Sequence, residues 1–220
     1  MSRRLSYSSE TIVLIRHGET EWNRENRYQG QIDVPLSAVG RSQAEATGDA
    51  VQGIRFAAGY ASDLSRAADT ARIIGEKVGV EFEFVSSIRE ASKGELEGLC
   101  RTVAHDARTP ADAALMSADI NSRPPGGESL HDLYVRCRMF VEDIDSRCES
   151  SDSGPIVVVA HAGSLRMLAS VLLELPIEAS LSFHFDNCGI TAIERHRNRK
   201  PLLIAHNDLN HLLPVAIADR

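Results

Sequence analysis

The segment Pro155 to Ala160, PIVVVA, runs six positions without a polar residue and is dominated by β-branched valine and isoleucine. A strand wetted on one face alternates apolar and polar side chains. An unbroken apolar run is the pattern of a strand covered on both faces, as in the parallel sheet of an α/β protein. A second such run, Thr11 to Ile15, stops abruptly at Arg16, His17 and Gly18, and the first stops in the same manner at His161, Ala162 and Gly163. Ligands of open α/β sheets bind beyond the carboxyl ends of the parallel strands. The two histidines and Arg16 are therefore placed to meet a ligand, with His17 as the reactive group and Arg16 as an anion holder. Taken alone, an Arg-His pair reads more readily as a surface cation beside an ordinary loop histidine, so the rest of the chain has to decide.

The polar stretch Gly18 to Pro35 follows the first strand, and a loop of that length is commonly functional. Ser37 is positioned to cap a helix over residues 38 to 52. A strand near 56 to 61 leads into a helix from Leu64 to Val78, whose apolar residues recur at helical spacing. Arg66 opens that helix just past a strand end, either as a second ligand-facing arginine or as an exposed helix cation. Val80 to Val85 forms a further short strand, followed by Glu90 and a glycine-containing loop, Lys93 to Gly98. From Cys100 to Arg123 the pattern is weak, with Ala-rich helical segments. The sequence Pro124, Pro125, Gly126, Gly127 is a firm break. An amphipathic helix then runs from Leu130 to Cys148, its stripe belonging to the core. Ser164 is expected to cap a helix through Leu173, whose free amides, with those of Ala162 and Gly163, offer an anion site. Strands at 189 to 194 and 202 to 205 close the chain, joined by Arg195 to Lys200, a basic turn that reads as a solvated hairpin tip more readily than as a binding patch.

With 220 residues and no linker, the chain is expected to form one domain over residues 11 to 220 after a short disordered lead-in, residues 1 to 10. No apolar run approaches a membrane span and no leader segment precedes the first strand, so a soluble, cytoplasmic protein is expected. The net charge of −7 argues against nucleic acid as a partner, so any anionic ligand must be held by a local cluster of arginines. The four cysteines, Cys100, Cys137, Cys148 and Cys188, lack metal-type spacing and read as buried reduced thiols.

Seven segments occur in one order: RHGETEWN at 16 to 23, YQGQIDVPLSAVG at 28 to 40, SDLSRAADTA at 62 to 71, IREASKGELEGL at 88 to 99, PPGGES at 124 to 129, VVVAHAG at 157 to 163 and NCGITAIE at 187 to 194. Together they resemble the histidine phosphatase superfamily, the phosphoglycerate mutase-like proteins, from Thr11 to about Leu213. The resemblance implies a three-layer α/β/α sandwich with a mostly parallel central sheet. It also implies a pocket built from Arg16, His17, Asn23, Arg66, Glu90 and His161. The family's nucleophilic histidine matches His17 and its proton-transferring carboxylate matches Glu90, while Gln29 and Gly30 match positions lining the substrate pocket.

The chemistry of these residue types agrees. Phosphoryl transfer needs fixed positive donors around the equatorial oxygens and an in-line nucleophile. Arg16 and Arg66 can each clamp oxygens with two donors, as lysine cannot, and His161 with the side-chain amide of Asn23 would complete the cradle. A neutral imidazole of His17 can attack phosphorus. Glu90 can protonate the leaving group and then deprotonate water if burial raises its pKa. This chain departs from many relatives in having Lys93 three positions after the carboxylate. Lys93 and Arg101 are expected either to reach a second anionic group on the substrate, such as a carboxylate, or to be solvated cations.

The expected activity is thus a metal-independent phosphomonoester hydrolase acting through a phosphohistidine on a small phosphorylated metabolite, with no cofactor and no metal ligands, because no HxxxH or HxH pair is present. The runner-up is mutase-type phosphoryl transfer. It is disfavoured because Ala91 to Arg123 lacks the longer arginine-containing insertion usual in mutases of the family. A catalytically silent module that binds a phosphorylated ligand is the alternative from another class. The substrate and the oligomeric state, a homodimer included, are left open by the sequence.

Overall fold

The structure, a computed structural model, describes residues 7–107, 109–148, 154–196 and 199–212. In chain order its elements are β1 (Thr11–Arg16), α1 (Glu21–Arg24), α2 (Ala38–Ala50), β2 (Ala58–Ser62), α3 (Ser65–Val78), β3 (Phe82–Val85), α4 (Arg101–Ala107), α5 (Pro110–Leu115), α6 (Leu130–Cys148), β4 (Ile156–Ala160), α7 (Ala162–Leu172), β5 (Ile190–His196) and β6 (Arg199–Asp208). The strands form one sheet in the order β3-β2-β4-β1-β5-β6. β3, β2, β4 and β1 run parallel; β5 and β6 are antiparallel to their neighbours. The sheet is therefore mostly parallel.

Alternation along the two unbroken apolar runs builds two cores, one on each face of the sheet. Ile12 and Leu14 of β1, with Ile156 and Val158 of β4, pack under α6 and α7 against Leu133, Phe140, Ile144, Leu165 and Leu168. Val13 and Ile15, with Val157 and Val159, face Ala67, Ala71 and Ile74 of α3 on the other side. All of these strand residues are buried, and three layers result, as the resemblance implied.

Several sequence expectations need correction at element ends. Within the described part of the lead-in, residues 7 to 10, Tyr7 packs on the second core and the Thr11 amide donates to Ser8 O at 3.1 Å. Residues 1 to 6 lie outside the described residues. The Gly18 to Pro35 loop contains the one-turn helix α1, closed by reciprocal bonds between Thr20 and Asn23. The weak 100 to 123 region needs no correction: its helical segments are α4 and α5. The basic turn is mostly strand: Arg195 and His196 end β5, while Arg199 and Lys200 begin β6, and residues 197 and 198 lie outside the described residues. Arg195 pairs with Asp145 and Lys200 with Glu174, so two of the segment's charges are locally answered.

His161 rather than Ser164 caps α7. The helix starts directly at the strand end, leaving His161 extended, and Ser164 sits one turn inside with its Oγ accepting the His161 amide at 3.1 Å. Of the cysteines, Cys137 and Cys188 are buried, and burial raises both thiols to about 12. Cys100, expected to be buried, is half-exposed. The side chain of Cys148 lies outside the described residues.

Candidate active site

β2, β4 and β1 are neighbours in the sheet and parallel, so their carboxyl ends open on one edge. Arg16 and His17 leave β1 there, His161 leaves β4, and Ser62 leaves β2 with Arg66 one helical turn beyond. Three strand ends far apart in sequence thus converge because the core stacks the strands in this order.

His17 is 3% exposed. Its Nδ1 lies 2.6 Å from Gly18 O, and a carbonyl can only accept, so Nδ1 carries the proton and Nε2 keeps its lone pair. Burial, then the charges of Arg66 and Arg16, hold the imidazole well below its ordinary pKa. The ring is therefore neutral near pH 7 with a fixed tautomer. Its backbone is pinned as well: its amide donates to Ala160 O at 2.9 Å and its carbonyl accepts from Asn187 Nδ2 at 2.9 Å.

Arg66, 1% exposed, donates from Nη1 to Ile32 O at 2.9 Å, from Nη2 to Gly30 O at 2.8 Å and from Nε to His161 Nδ1 at 3.2 Å. Three of its five N–H groups are thus used in holding the guanidinium, and two are left for a ligand. Because Arg66 can only donate, His161 accepts through Nδ1, and its Nε2 proton goes to Ser62 Oγ at 2.8 Å. Both ring nitrogens of His161 are committed, which corrects the expectation that the ring offers one to the cradle. His161 orients Arg66, and its ring lies with its centroid 5.1 Å from that of His17.

Arg16 donates from Nη1 to Phe185 O at 2.7 Å, and its buried Nε has no partner among the described residues. Burial lowers both arginines to about 10, which leaves them charged at neutral pH. Asn23 Oδ1 accepts from the Thr20 amide at 3.1 Å and from Asn187 at 3.3 Å, so its Nδ2 is the end without a partner among the described residues. Gly30 has φ +53°, and a Cβ there would collide with the Glu97 carboxylate, so only glycine lets the loop carry its carbonyl to Arg66. Gln29 is buried, and its Oε1 lacks a partner among the described residues.

Glu90 accepts from the Ala91 amide through Oε1 at 2.8 Å and from the Gly163 amide through Oε2 at 3.0 Å. A Cβ at Gly163 would overlap this carboxylate. The Gly163 amide therefore serves Glu90 and is not free for phosphate as the sequence suggested; Ala162 occupies the first position of α7, half-buried. Burial pushes the Glu90 carboxyl up, but Lys93, the two amides and Arg66 outweigh it and leave the group below its usual range. This corrects the expectation of a raised pKa: in the unliganded pocket Glu90 is ionised. Lys93 sits beside it, its ammonium lowered by burial against the pull of Glu90. Arg101 lies on the rim with its guanidinium 5.1 Å over the Tyr28 ring.

Three residues to which the sequence reading gave no role shape the site. Arg136 of α6 donates to the carbonyls of Ser87 (2.8 Å), Arg89 (2.6 Å) and Glu90 (2.9 Å) while paired with Glu128 at 2.9 Å, bracing the turn that carries Glu90. Asn187 ties β1 to Asn23. Arg166, on α7 one turn past Gly163, has a buried Nε without a partner among the described residues. Its i+3 spacing from Gly163 was the signal that could have found it. Among the described residues no group of three or more His, Cys, Asp or Glu is placed to hold a metal ion, and no helix is long and apolar enough to cross a membrane.

A family model described as the histidine phosphatase superfamily, branch 1, matches residues 12–208. A probable phosphoglycerate mutase of Enterobacter sp. (strain 638) is 34% identical over 183 residues, covering 83% of this chain and 84% of its own. Among solved structures, mycobacterial glucosyl-3-phosphoglycerate phosphatase complexed with VO3 superposes with a TM-score of 0.80 at 31% identity, over 90% of this chain and 99% of that one. Phosphoserine phosphatase from Entamoeba histolytica, in complex with 3-phosphoglyceric acid, gives 0.78 at 28% identity over 92% and 98%.

Proposed function

On the premise that the chain belongs to the histidine phosphatase superfamily, we propose that it is a metal-independent phosphomonoester hydrolase acting through a phosphohistidine on a small phosphorylated metabolite. The observation that carries this reading is His17: buried, neutral, its Nδ1 proton tied to Gly18 O, with the lone pair of Nε2 available beside two arginines. In this scheme Nε2 attacks phosphorus and the P–O bond to the alcohol breaks. Arg16, the spare N–H groups of Arg66 and Asn23 Nδ2 take the equatorial oxygens. Glu90 gives its proton to the departing alkoxide. Water then attacks the phosphohistidine, Glu90 takes the proton, and phosphate leaves with His17 neutral again.

The ionised state of Glu90 in the empty pocket is compatible with this role. A phosphate dianion arriving beside it is a like charge, which raises the carboxyl and lets it carry a proton when one is needed. His161 acts through Arg66 as a positioning residue. The buried thiols of Cys137 and Cys188 support a cytoplasmic location, which is part of the same proposal.

Mutase-type transfer is the second reading, favoured by the mutase-named relative. One experiment separates the two: a panel of phosphomonoesters assayed in chelator, wild type beside His17→Ala, reading free phosphate and isomerised product. Free phosphate from wild type, with none from His17→Ala and label trapped on His17, is expected. Isomerised product as the main outcome moves the assignment to the mutase. Label on any other side chain overturns both.

A further inference from the structure

The segment 124–129, PPGGES, reads in the sequence as a break, and no step of the reaction scheme uses it. In the structure it lies against the turn that carries Glu90. The two backbones bond directly: the Glu128 amide donates to Ser92 O at 2.9 Å and the Glu95 amide to Pro125 O at 3.1 Å. The Glu128 carboxylate adds side-chain bonds, its Oε2 accepting from the Ser92 amide at 2.8 Å and from Gln31 Nε2 at 3.3 Å. Arg136, in the second turn of α6, forks onto the same carboxylate, Nε to Oε1 at 2.9 Å and Nη2 to Oε2 at 3.0 Å.

The other three N–H groups of Arg136 go to the carbonyls of Ser87, Arg89 and Glu90. All five of its donors are thus committed to protein, and none is left for a ligand. Residues 89–93 lie in neither helix nor strand, and no backbone amide among the described residues donates to those three carbonyls. Side chains do the holding instead, with Gln31 Nε2 a second donor on Glu90 O at 3.2 Å. α6 does not need this fork to dock, since Leu133, Cys137, Phe140, Val141 and Ile144 already anchor it in the core. What the fork fixes is the stretch of backbone from which the Glu90 carboxylate is aimed.

We propose that Glu128 and Arg136 are positioning residues for proton transfer: the pair fixes the Glu90 backbone so that its carboxyl group meets the leaving oxygen, and it takes no part in holding the phosphoryl group. The inference rests on the hydrolase reading above, in which Glu90 is the acid.

The test reads the first turnover, transfer of labelled phosphoryl to His17, from ethyl phosphate and from p-nitrophenyl phosphate. Nitrophenolate leaves without a proton, so a displaced Glu90 slows only the ethyl ester. Arg136→Met is expected to cost about 10²-fold on ethyl phosphate, the scale of a misplaced catalytic group, with the nitrophenyl rate within about twofold of wild type. Glu128→Gln should show the same selectivity with a smaller loss. Arg136→Lys keeps the charge but not the fork, so it should recover only part; full recovery would assign the effect to charge and overturn the proposal. In a Glu90→Gln background neither substitution should slow either ester further, because no proton is left to place.

Thermal melts confirm that each variant is folded, and Arg136→Lys with Glu128→Gln carries the test if Arg136→Met does not fold. Equal losses on both esters, a further loss in the Glu90→Gln background, or wild-type rates throughout each overturn the proposal. If Glu90→Gln alone slows both esters equally, Glu90 is not the acid and the proposal falls with that assignment. If wild type transfers phosphoryl from neither ester, the hydrolase reading fails, and carbon NMR titration of the Glu90 carboxyl decides the placement. Wild type should titrate below the usual carboxylate range and Arg136→Met closer to it; identical titration overturns the proposal.

Discussion

The floor and the rim of the pocket are built on opposite plans. On the floor, Arg66 is held by three bonds, both nitrogens of His161 are occupied, and His17 has its tautomer set by Gly18. On the rim, Lys93, Arg101 and Arg166 lack ion pairs among the described residues, as Arg16 and Arg66 do on the floor, and Gln29 Oε1 and Arg166 Nε are buried without partners among those residues, a state that the floor shows at Arg16 Nε. A preorganised floor suits the step that every phosphomonoester shares, because donors already in place need no reorganisation at the transition state. A rim left unsatisfied suits recognition, because its groups acquire partners only from the right ligand.

The comparison can be broken most sharply at Arg66. Arg66→Met should cost about 10³-fold or more in kcat/KM, and by the same factor for acidic and neutral phosphoesters. A loss that depends on the second charge of the substrate would merge floor and rim into one device. Next comes Glu90, which touches both regions. Glu90→Gln should slow phosphorylation of His17 by alkyl phosphates about 10²- to 10⁴-fold while barely affecting the first-turnover burst from p-nitrophenyl phosphate, whose leaving group needs no proton; the later attack of water loses its base with either substrate. Equal losses in the first turnover would remove Glu90 from protonation of the leaving group.

The smallest effect is on stability. Both buried histidines are held well below their ordinary pKa. Below about pH 6.5 the unfolded chain therefore binds protons that the folded one refuses, and stability falls as pH falls. Melting curves at pH 7 and 5.5 should show a drop of a few degrees in wild type and a smaller drop in His17→Gln. A melting temperature equal at the two values would show that the floor is wetter than its burial implies.

Legibility followed sequence distance. The strand ends at Arg16-His17-Gly18 and His161-Ala162-Gly163 were readable because an apolar run and its polar stop are adjacent residues, and Arg66 was readable as a strand-end arginine. The brace of Arg136 on Glu90, 46 positions away, and the Arg66 bond to His161, 95 positions away, leave no local pattern. Arg166 was passed over because its neighbours on α7 are core residues. The expectation for Glu90 went wrong for a related reason: burial alone was weighed, without Lys93 and the Gly163 amide.

The sequence by itself determined that the two central strands are covered on both faces and which residue types stand at their ends, because burial on two faces and the period of each element are local properties of the chain; the three layers and the mostly parallel sheet were implied by the family resemblance. Only the tertiary structure decided which nitrogen of His17 is free, that His161 serves Arg66, that Glu90 is ionised when the pocket is empty and which cations go unpaired. Those are outcomes of through-space partners, and hydrogen-bond direction and charge depend on what lies within a few ångströms rather than on what lies next in the chain.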